Sequence, residues 1–336
     1  MKKKSDNPLI SDDSVNAILT ILTAFRQSKV LLSACELDIF TIIGNDQKNV
    51  KEIAISAGTE EKATGKLLNA LVAMQLLIKH DDKYQNTKGT RRFLVKGRPE
   101  YIGNMMFMTA QFEKWMELTE CIRTGKAASY QDIEDKPKEW IRDYVDSVYW
   151  RSKMQIPDIV SMVNLRDINS LLDLGCGGAS YAMEFKRIKP EMKVTAFDLP
   201  KIIYEANKHI EREDMVRDIN LMSGDFMKDD FGKGYDAIFI SDVMSHFSFA
   251  ENTKLMHRVY DALVRGGKLI VHDTFIDDER LEPVSATFDS LGYLINTEDG
   301  DVFTESDIWM ILKEGWFGNI KMITTPFNTS IFIAEK

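Results

Sequence analysis

The sequence predicts an α/β protein: a doubly wound, seven-stranded, mostly parallel sheet in its C-terminal half, and a smaller, mainly helical N-terminal domain. Three observations carry this. From Ser170 onward, apolar runs of strand length alternate with amphipathic helical stretches, the pattern of a parallel sheet covered on both faces. The last two runs are joined only by Pro326-Phe327-Asn328, too short for a crossover, so they predict an antiparallel hairpin at the sheet edge. Between residues 49 and 97 two short helical stretches precede a hairpin, the outline of a winged helix.

The elements follow in order. Residues 14–43 read as helical, with Val15, Ile18, Leu19, Leu22, Phe25, Val30, Leu31, Ala34 and Leu37 at helical spacing. That apolar surface is wide for a helix near a terminus and suits a partner chain or packing within the monomer. The run Val15 to Phe25 is too short to span a bilayer, and Asp12 and Asp13 interrupt a signal-peptide layout, so no targeting or membrane segment is expected. A short helix opens at Val50, Gly58-Thr59 turns the chain, and Lys62 to Leu77 forms a second helix with Leu67, Leu68, Leu71, Val72 and Leu76 inward. Ile78, Asp81-Asp82 and Tyr84 then make the wing. Residues 100–163 read as all-helical and rich in Met and aromatics, a pattern more often core than cofactor box.

Strands are expected at 170–174, 193–197, 219–222, 235–241, 267–273, 319–324 and 329–334. Helices are expected near 179–188, 200–212, 250–264 and 304–314. The expected division is 1–100, 101–163 and 164–336.

The chain has 336 residues, 43 basic and 52 acidic, for a net charge of −9. An acidic chain lacks the basic footprint that nucleic acid or an anionic membrane requires, so neither is an expected partner. Lys62 and Lys66 are all the second winged-helix stretch offers early on, beside Glu60 and Glu61. Arg91, Arg92, Lys96 and Arg98 are the one basic cluster in the module. Three cysteines, Cys35, Cys121 and Cys176, lie far apart, which fits a reducing cytoplasm and predicts neither a disulfide framework nor a metal site.

Four landmarks carry chemistry, and all fall at the carboxyl ends of expected strands, where doubly wound sheets bind ligands. Asp173-Leu174-Gly175-Cys176-Gly177-Gly178-Ala179 links the first strand to a helix. Its glycines permit a tight turn and a close backbone approach, with Ala179 where a last glycine is expected. Phe197-Asp198-Leu199-Pro200 ends the second strand. Asp198 is spaced to accept two ribose hydroxyls, or else to cap the helix that Pro200 opens. Asp225 and Phe226, in Gly224-Asp225-Phe226-Met227, pair an acid with an aromatic, suited to an adenine amino group and its ring face. Asp242-Val243-Met244-Ser245-His246-Phe247 follows the fourth strand.

Together with Leu263-Val264-Arg265-Gly266-Gly267-Lys268 before a strand, these motifs resemble the class I S-adenosylmethionine-dependent methyltransferases. More narrowly, they are similar to the small-molecule O-methyltransferases of plant caffeate and bacterial pigment and antibiotic metabolism, of which Phe-Asp-Leu-Pro is a mark. The resemblance spans nearly the whole chain, including Gly300-Asp301-Val302-Phe303-Thr304 and Glu314-Gly315-Trp316-Phe317. It implies a winged-helix dimerisation domain, a helical middle, and a C-terminal Rossmann-like domain holding S-adenosyl-L-methionine through Asp173, Gly175, Gly177, Asp198, Leu199, Asp225, Phe226 and Asp242. A homodimer, a small, largely apolar acceptor, and no metal are implied with it.

Methyl transfer to a hydroxyl needs alignment, exclusion of water and removal of a proton, usually by His. The family base lies in a His-Asp-Trp segment. Aligned without gaps from Tyr235-Asp236-Ala237, that His falls on Ser245 and the Asp on His246. His246 is therefore the candidate base, with Asp273 matching the acid that orients it; a second such acid falls on Val302. His272 is expected near the strand ends facing the site, and His80, His209 and His257 are read as structural or surface residues. Met105, Phe112, Trp115, Met154, Phe288 and Tyr293 are the candidate acceptor-pocket residues. Three alternatives stand beside O-methylation. One is S- or C-methylation, or sulfonium binding without transfer, in a protein lacking the His base. The second is a ligand-sensing regulator that reads DNA through the winged helix. The third is a nicotinamide enzyme, disfavoured by Phe-Asp-Leu-Pro and Asp225-Phe226.

Overall fold

The computed structural model describes residues 15–98, 100–102, 105–153 and 155–336. The chain divides into two compact units, residues 1–110 and 111–336.

In the first unit the N-terminal helix runs Val15–Glu36. The single helix expected over 14–43 is broken at Asp38, which takes a left-handed conformation (φ 55°), and a second helix spans Ile39–Ile43. Asp tolerates that region because its short side chain suits local turns. The first helix is 22 residues long with mean hydropathy 1.2, long and apolar enough to cross a membrane, which corrects the length argument made from Val15 to Phe25 alone. Its outer face leaves Val15, Ile18, Leu19, Leu22 and Phe25 48–71% exposed.

Strand β1 (Lys48–Asn49) leads into helix Val50–Ala57, opened by an Asn49/Glu52 capping box and closed by Gly58 at φ 66°. Helix Glu61–Ala73 and the antiparallel pair β2 (Leu77–His80) and β3 (Lys83–Asn86) complete a winged-helix arrangement with strand order β1-β3-β2. Ile39, Phe40, Ile43, Ile53, Leu68, Leu71, Leu77 and Tyr84 form its core. Arg92, from the basic cluster, pairs with Glu100 at 3.2 Å.

In the second unit, helices Leu118–Thr124, Lys138–Lys153 and Ile156–Ser161 precede the sheet. Its strands are β4 (Ser170–Leu174), β5 (Lys193–Asp198), β6 (Ile219–Ser223), β7 (Tyr235–Ser241), β8 (Leu263–Asp273), β9 (Gly318–Thr324) and β10 (Ser330–Glu335), in the order β6-β5-β4-β7-β8-β10-β9. The pairings from β6 through β8 are parallel; β10 is antiparallel to both β8 and β9. Strand β8 begins at Leu263 rather than 267 because a register shift at Tyr235/Ala237 lets Leu263 pair with Tyr235.

Side chains alternate between two cores, as the two-residue period of a strand requires. Leu171, Val194, Phe239 and Ile270 pack with helices Ser180–Ile188 and Pro200–Arg212. Leu172, Ile238, Leu269 and Val271 pack with helices Phe249–Ala262 and Glu305–Glu314. Helix Val284–Asn296 was not expected from the sequence; it fully buries only Ala286 and Ile295, although Val284, Phe288, Leu291 and Ile295 recur at helical spacing.

Candidate active site

The glycine-rich loop opens at the end of β4. Gly175 (φ 78°), Gly177 (φ 51°) and Ala179 (φ 59°) hold the left-handed conformations. Gly178 does not share that role; it makes room, because a Cβ there would lie 2.8 Å from the Tyr149 Cβ. A Cβ on Gly175 would meet Val243 Cγ2 at 2.4 Å. Gly175→Ala should therefore cost about 2–4 kcal/mol, from left-handed strain plus overpacking, seen as a lower denaturant midpoint at unchanged slope.

Asp173 is buried, and its Oδ2 accepts the Ala182 N–H at 3.0 Å, tying β4 to the helix after the loop. Burial pushes its pKa up to about 7. At the end of β5, Asp198 accepts from the Gly177 N–H (2.8 Å) and the Leu199 N–H (2.7 Å). It thus bridges two loops and is not a helix cap; Leu199 is the N-cap residue of the following helix. Burial raises Asp198 to about 6 against the pull of those two N–H groups. Asp225 accepts from Met227 N (2.9 Å) and pairs with Lys228 (2.8 Å). Phe226 is 8% exposed and meets Phe247 edge-on at 5.6 Å.

Beyond β7 the chain turns sharply at Asp242 (φ 53°), whose N–H donates to the His272 carbonyl, and a short 3-10 turn presents Met244, Ser245 and His246. Ser245 is buried; His246 is exposed, yet protein atoms surround it closely enough that burial lowers its pKa below 6.5. The ring is thus accessible to solvent while protein atoms crowd around it. Its face is set by Tyr293, edge-on at 5.3 Å and 87°. The charge that favours protonation of His246 comes from Asp242, opposed by Arg151.

Asp273 is buried at the end of β8. Its Oδ1 accepts from Thr274 N (2.8 Å), Ser245 lies close enough to favour its charged form, and Oδ2 has no hydrogen-bond partner. Burial, then the charge of Asp242, raises its pKa well above the usual carboxylate value. Its close partner is Ser245, at the position of the family His, and the acid acting on His246 is Asp242. Val302, on which the family's second acid falls, is fully buried with Ile276 and Ala286. Neighbouring Asp301 is held by Arg280 (2.8 Å) and Ser290 (2.6 Å).

His272 is corrected. It does not face the site but is buried on the opposite face of the sheet from Asp273, bonded to Ser241 (2.9 Å), Tyr181 (3.3 Å) and Thr329 (2.9 Å).

Of the pocket candidates, Tyr293 is brought to His246. Phe288 lies on the same helix, 51% exposed. Phe112 and Trp115 are half-buried beside Gln111, which bonds Asn296 of that helix (3.0 Å from Asn296 Nδ2). The Met105 and Met154 side chains lie outside the described residues. Sequence reading missed Asp289, whose pKa is raised by burial and lowered by Arg151, and Arg151 itself. Both stand on exposed helix faces, where nothing in the pattern distinguishes them. Among the described residues no group of three or more His, Cys, Asp or Glu side chains is arranged to hold a metal ion.

A strand order of this kind, a glycine loop, and an acid at the next strand end define a nucleoside-binding α/β enzyme. Residues 115–318 match the O-methyltransferase domain model, and residues 19–96 match the O-methyltransferase dimerisation domain model. The chain belongs to the O-methyltransferase family, whose methyl donor is S-adenosylmethionine. It is similar to the tetracenomycin polyketide synthesis 8-O-methyltransferase TcmO of Streptomyces glaucescens, 26% identical over 95% of this chain and 96% of that one. It is also similar to the N,N-dimethyltransferase OxyT of Streptomyces rimosus, 26% identical over 80% and 81%. In fold it matches human N-acetylserotonin methyltransferase, solved in complex with SAM, with a TM-score of 0.86 at 20% identity, covering 100% of this chain and 99% of that one.

The residues at the loop fit the donor chemically. Asp198 is an acceptor poised at a strand end beside a glycine cradle, and its carboxylate suits the two ribose hydroxyls of a nucleoside.

Proposed function

We propose that this protein methylates a hydroxyl of a small, largely apolar acceptor, most simply a phenol, using S-adenosylmethionine. In this reading Asp173, Gly175, Gly177, Asp198, Leu199, Asp225, Phe226 and Asp242 form the donor site. When bound there, the donor supplies an electrophilic methyl on a sulfonium. The observation that carries the reading is the convergence of the glycine loop, Asp198 and the Asp242–His246 turn at one edge of the sheet.

His246, neutral at pH 7 because burial holds its pKa below 6.5, accepts the hydroxyl proton at a ring nitrogen. Asp242 stabilises the imidazolium that results. Tyr293 fixes the ring, and Asp273, close to Ser245, supports the turn. We further propose a cytoplasmic homodimer with neither nucleic acid nor membrane as partner. Residues 1–100 serve dimerisation, 101–163 help line the acceptor pocket, and 164–336 hold the donor. The dimerisation-domain match and the exposed apolar face of Val15–Glu36 support the dimer.

A second reading has two observations in its favour: Ser245 stands where the family base is expected, and the similar protein OxyT is an N,N-dimethyltransferase. It makes the acceptor an amine, thiol or already ionised group that needs no base. Incubation with methyl-labelled S-adenosylmethionine and a panel of small phenols, amines and thiols separates the two. Label on phenol oxygen is expected; label on amines or thiols alone would favour the second.

The donor site has a pH signature. Asp198 sits near 6 in the free protein, and ribose hydroxyls donate to its ionised form, so binding expels a proton at acid pH. The dissociation constant for S-adenosylhomocysteine should fall as pH rises between about 5 and 7, then level off. Calorimetry across that range checks it; a flat profile would remove Asp198 from the site.

A further inference from the structure

Helix Lys138–Lys153 buries Ile141, Val145 and Tyr149. Its Val148 stands 3.6 Å from where a Cβ on Gly177 would be, and its Tyr149 stands 2.8 Å from one on Gly178. Two turns earlier, Ile141 and Tyr144 pack with Ile202 and Leu199, directly after Asp198. This helix therefore lies along both parts of the donor site.

One carboxylate gathers the elements concerned. The Tyr149 hydroxyl donates to Glu213 Oε1 at 2.9 Å, and Lys153 Nζ reaches the same oxygen at 3.0 Å. Arg187 Nη2 donates to Glu213 Oε2 at 2.7 Å. Arg187 belongs to the helix that follows the glycine loop, and Glu213 closes the helix that follows Asp198. The Tyr149 ring also stacks on His209 at 4.0 Å and 9°, and His209 Nε2 meets Asp146 Oδ1 at 3.0 Å. Three helices are thus tied at one point, away from the reacting atoms.

We propose that the Tyr149–Glu213 contact is a clasp that seats helix Lys138–Lys153 on the glycine loop and sets that loop and Asp198 for donor binding, so that Tyr149 is a positioning residue for S-adenosylmethionine. The inference rests on the donor-site reading above. Its chemistry is consistent at neutral pH: burial and then Glu213 raise the Tyr149 hydroxyl far above its usual range, so it remains a donor. Burial alone would raise Glu213, but Lys153, Tyr149 and Arg187 outweigh it and keep the acceptor charged.

The test uses Tyr149→Phe, Glu213→Gln and the double variant in the full chain, with S-adenosylhomocysteine as the calorimetric probe. Tyr149→Phe keeps the ring against Gly178 and His209 and removes only the hydroxyl. Each single variant should weaken binding about three- to tenfold, because only part of the worth of the charge-assisted bond is transmitted to the donor site it does not touch. The double variant should be no worse than the weaker single one, since both remove the same contact. A merely structural contact would lower the melting temperature and leave the dissociation constant within about twofold of wild type; that result overturns the proposal. Should the variants fail to fold, hydrogen exchange on the wild-type protein decides. Binding of the probe should slow exchange in 144–153 together with 175–179, and unchanged exchange in 144–153 overturns the clasp. Wild-type protein that does not bind the probe at all would defeat the donor-site reading instead.

Discussion

Replacing His246 by Gln should lower turnover by about a hundredfold or more while leaving affinity for S-adenosylhomocysteine unchanged. General-base catalysis contributes about 10²–10⁴ in rate, and Gln keeps the polarity and approximate size of the side chain without a basic nitrogen. The surroundings make His246 the group to test: its ring is exposed, Tyr293 holds it edge-on, and the charge of Asp242 acts on it. The remaining activity should lose its acidic limb. In the wild type, turnover should fall as pH drops through the lowered pKa of His246, below 6.5, because the protonated ring cannot accept a proton. Turnover near the wild-type value would remove the base role and favour an acceptor that ionises without help.

Asp198→Ala should weaken S-adenosylhomocysteine binding by about a hundredfold or more. Two hydroxyl bonds to a carboxylate are each worth about 1.5–3 kcal/mol. The same change also orphans the N–H groups of Gly177 and Leu199, which Asp198 now satisfies. Asp198→Asn retains an acceptor oxygen and should lose less. Because burial already raises the Asp198 pKa to about 6, Asp198→Asn relieves a desolvation cost while keeping an acceptor oxygen, so the melting temperature of that variant should hold. Binding and stability should therefore separate; loss of both together in Asp198→Asn would point to a structural role alone.

The middle of the sheet was legible because β4 and β7 are buried on both faces and read as short apolar runs, and the helices between the strands carry one apolar stripe each. The glycine loop and Asp198 were legible for a related reason: backbone turns and ribose acids occupy fixed offsets from strand ends. What escaped was geometry that spacing does not encode. His272 and Asp273 are adjacent in sequence, yet strand alternation sends one into the core beside Tyr181 and the other toward Ser245. The turn at Asp242 brings that carboxylate, and not Asp273, to bear on His246, and nothing in the residue order announces a positive φ there. Ala179 takes the left-handed conformation for which a glycine was expected at that position. Helix Val284–Asn296, which supplies Tyr293 and Asp289, is mostly half-buried, with only Ala286 and Ile295 fully buried, so its packing does not stand out in the sequence. The tie between Tyr149 and Glu213 joins residues far apart in the chain and had no local signal.

Calorimetric titration of wild-type protein with S-adenosylhomocysteine, run beside NAD at neutral pH, tests the central claim most directly. Saturable binding of S-adenosylhomocysteine, with no heat from NAD, is the expected result. A well-folded protein that binds NAD, or that binds neither, would contradict the assignment of the glycine loop and Asp198 to the methyl donor.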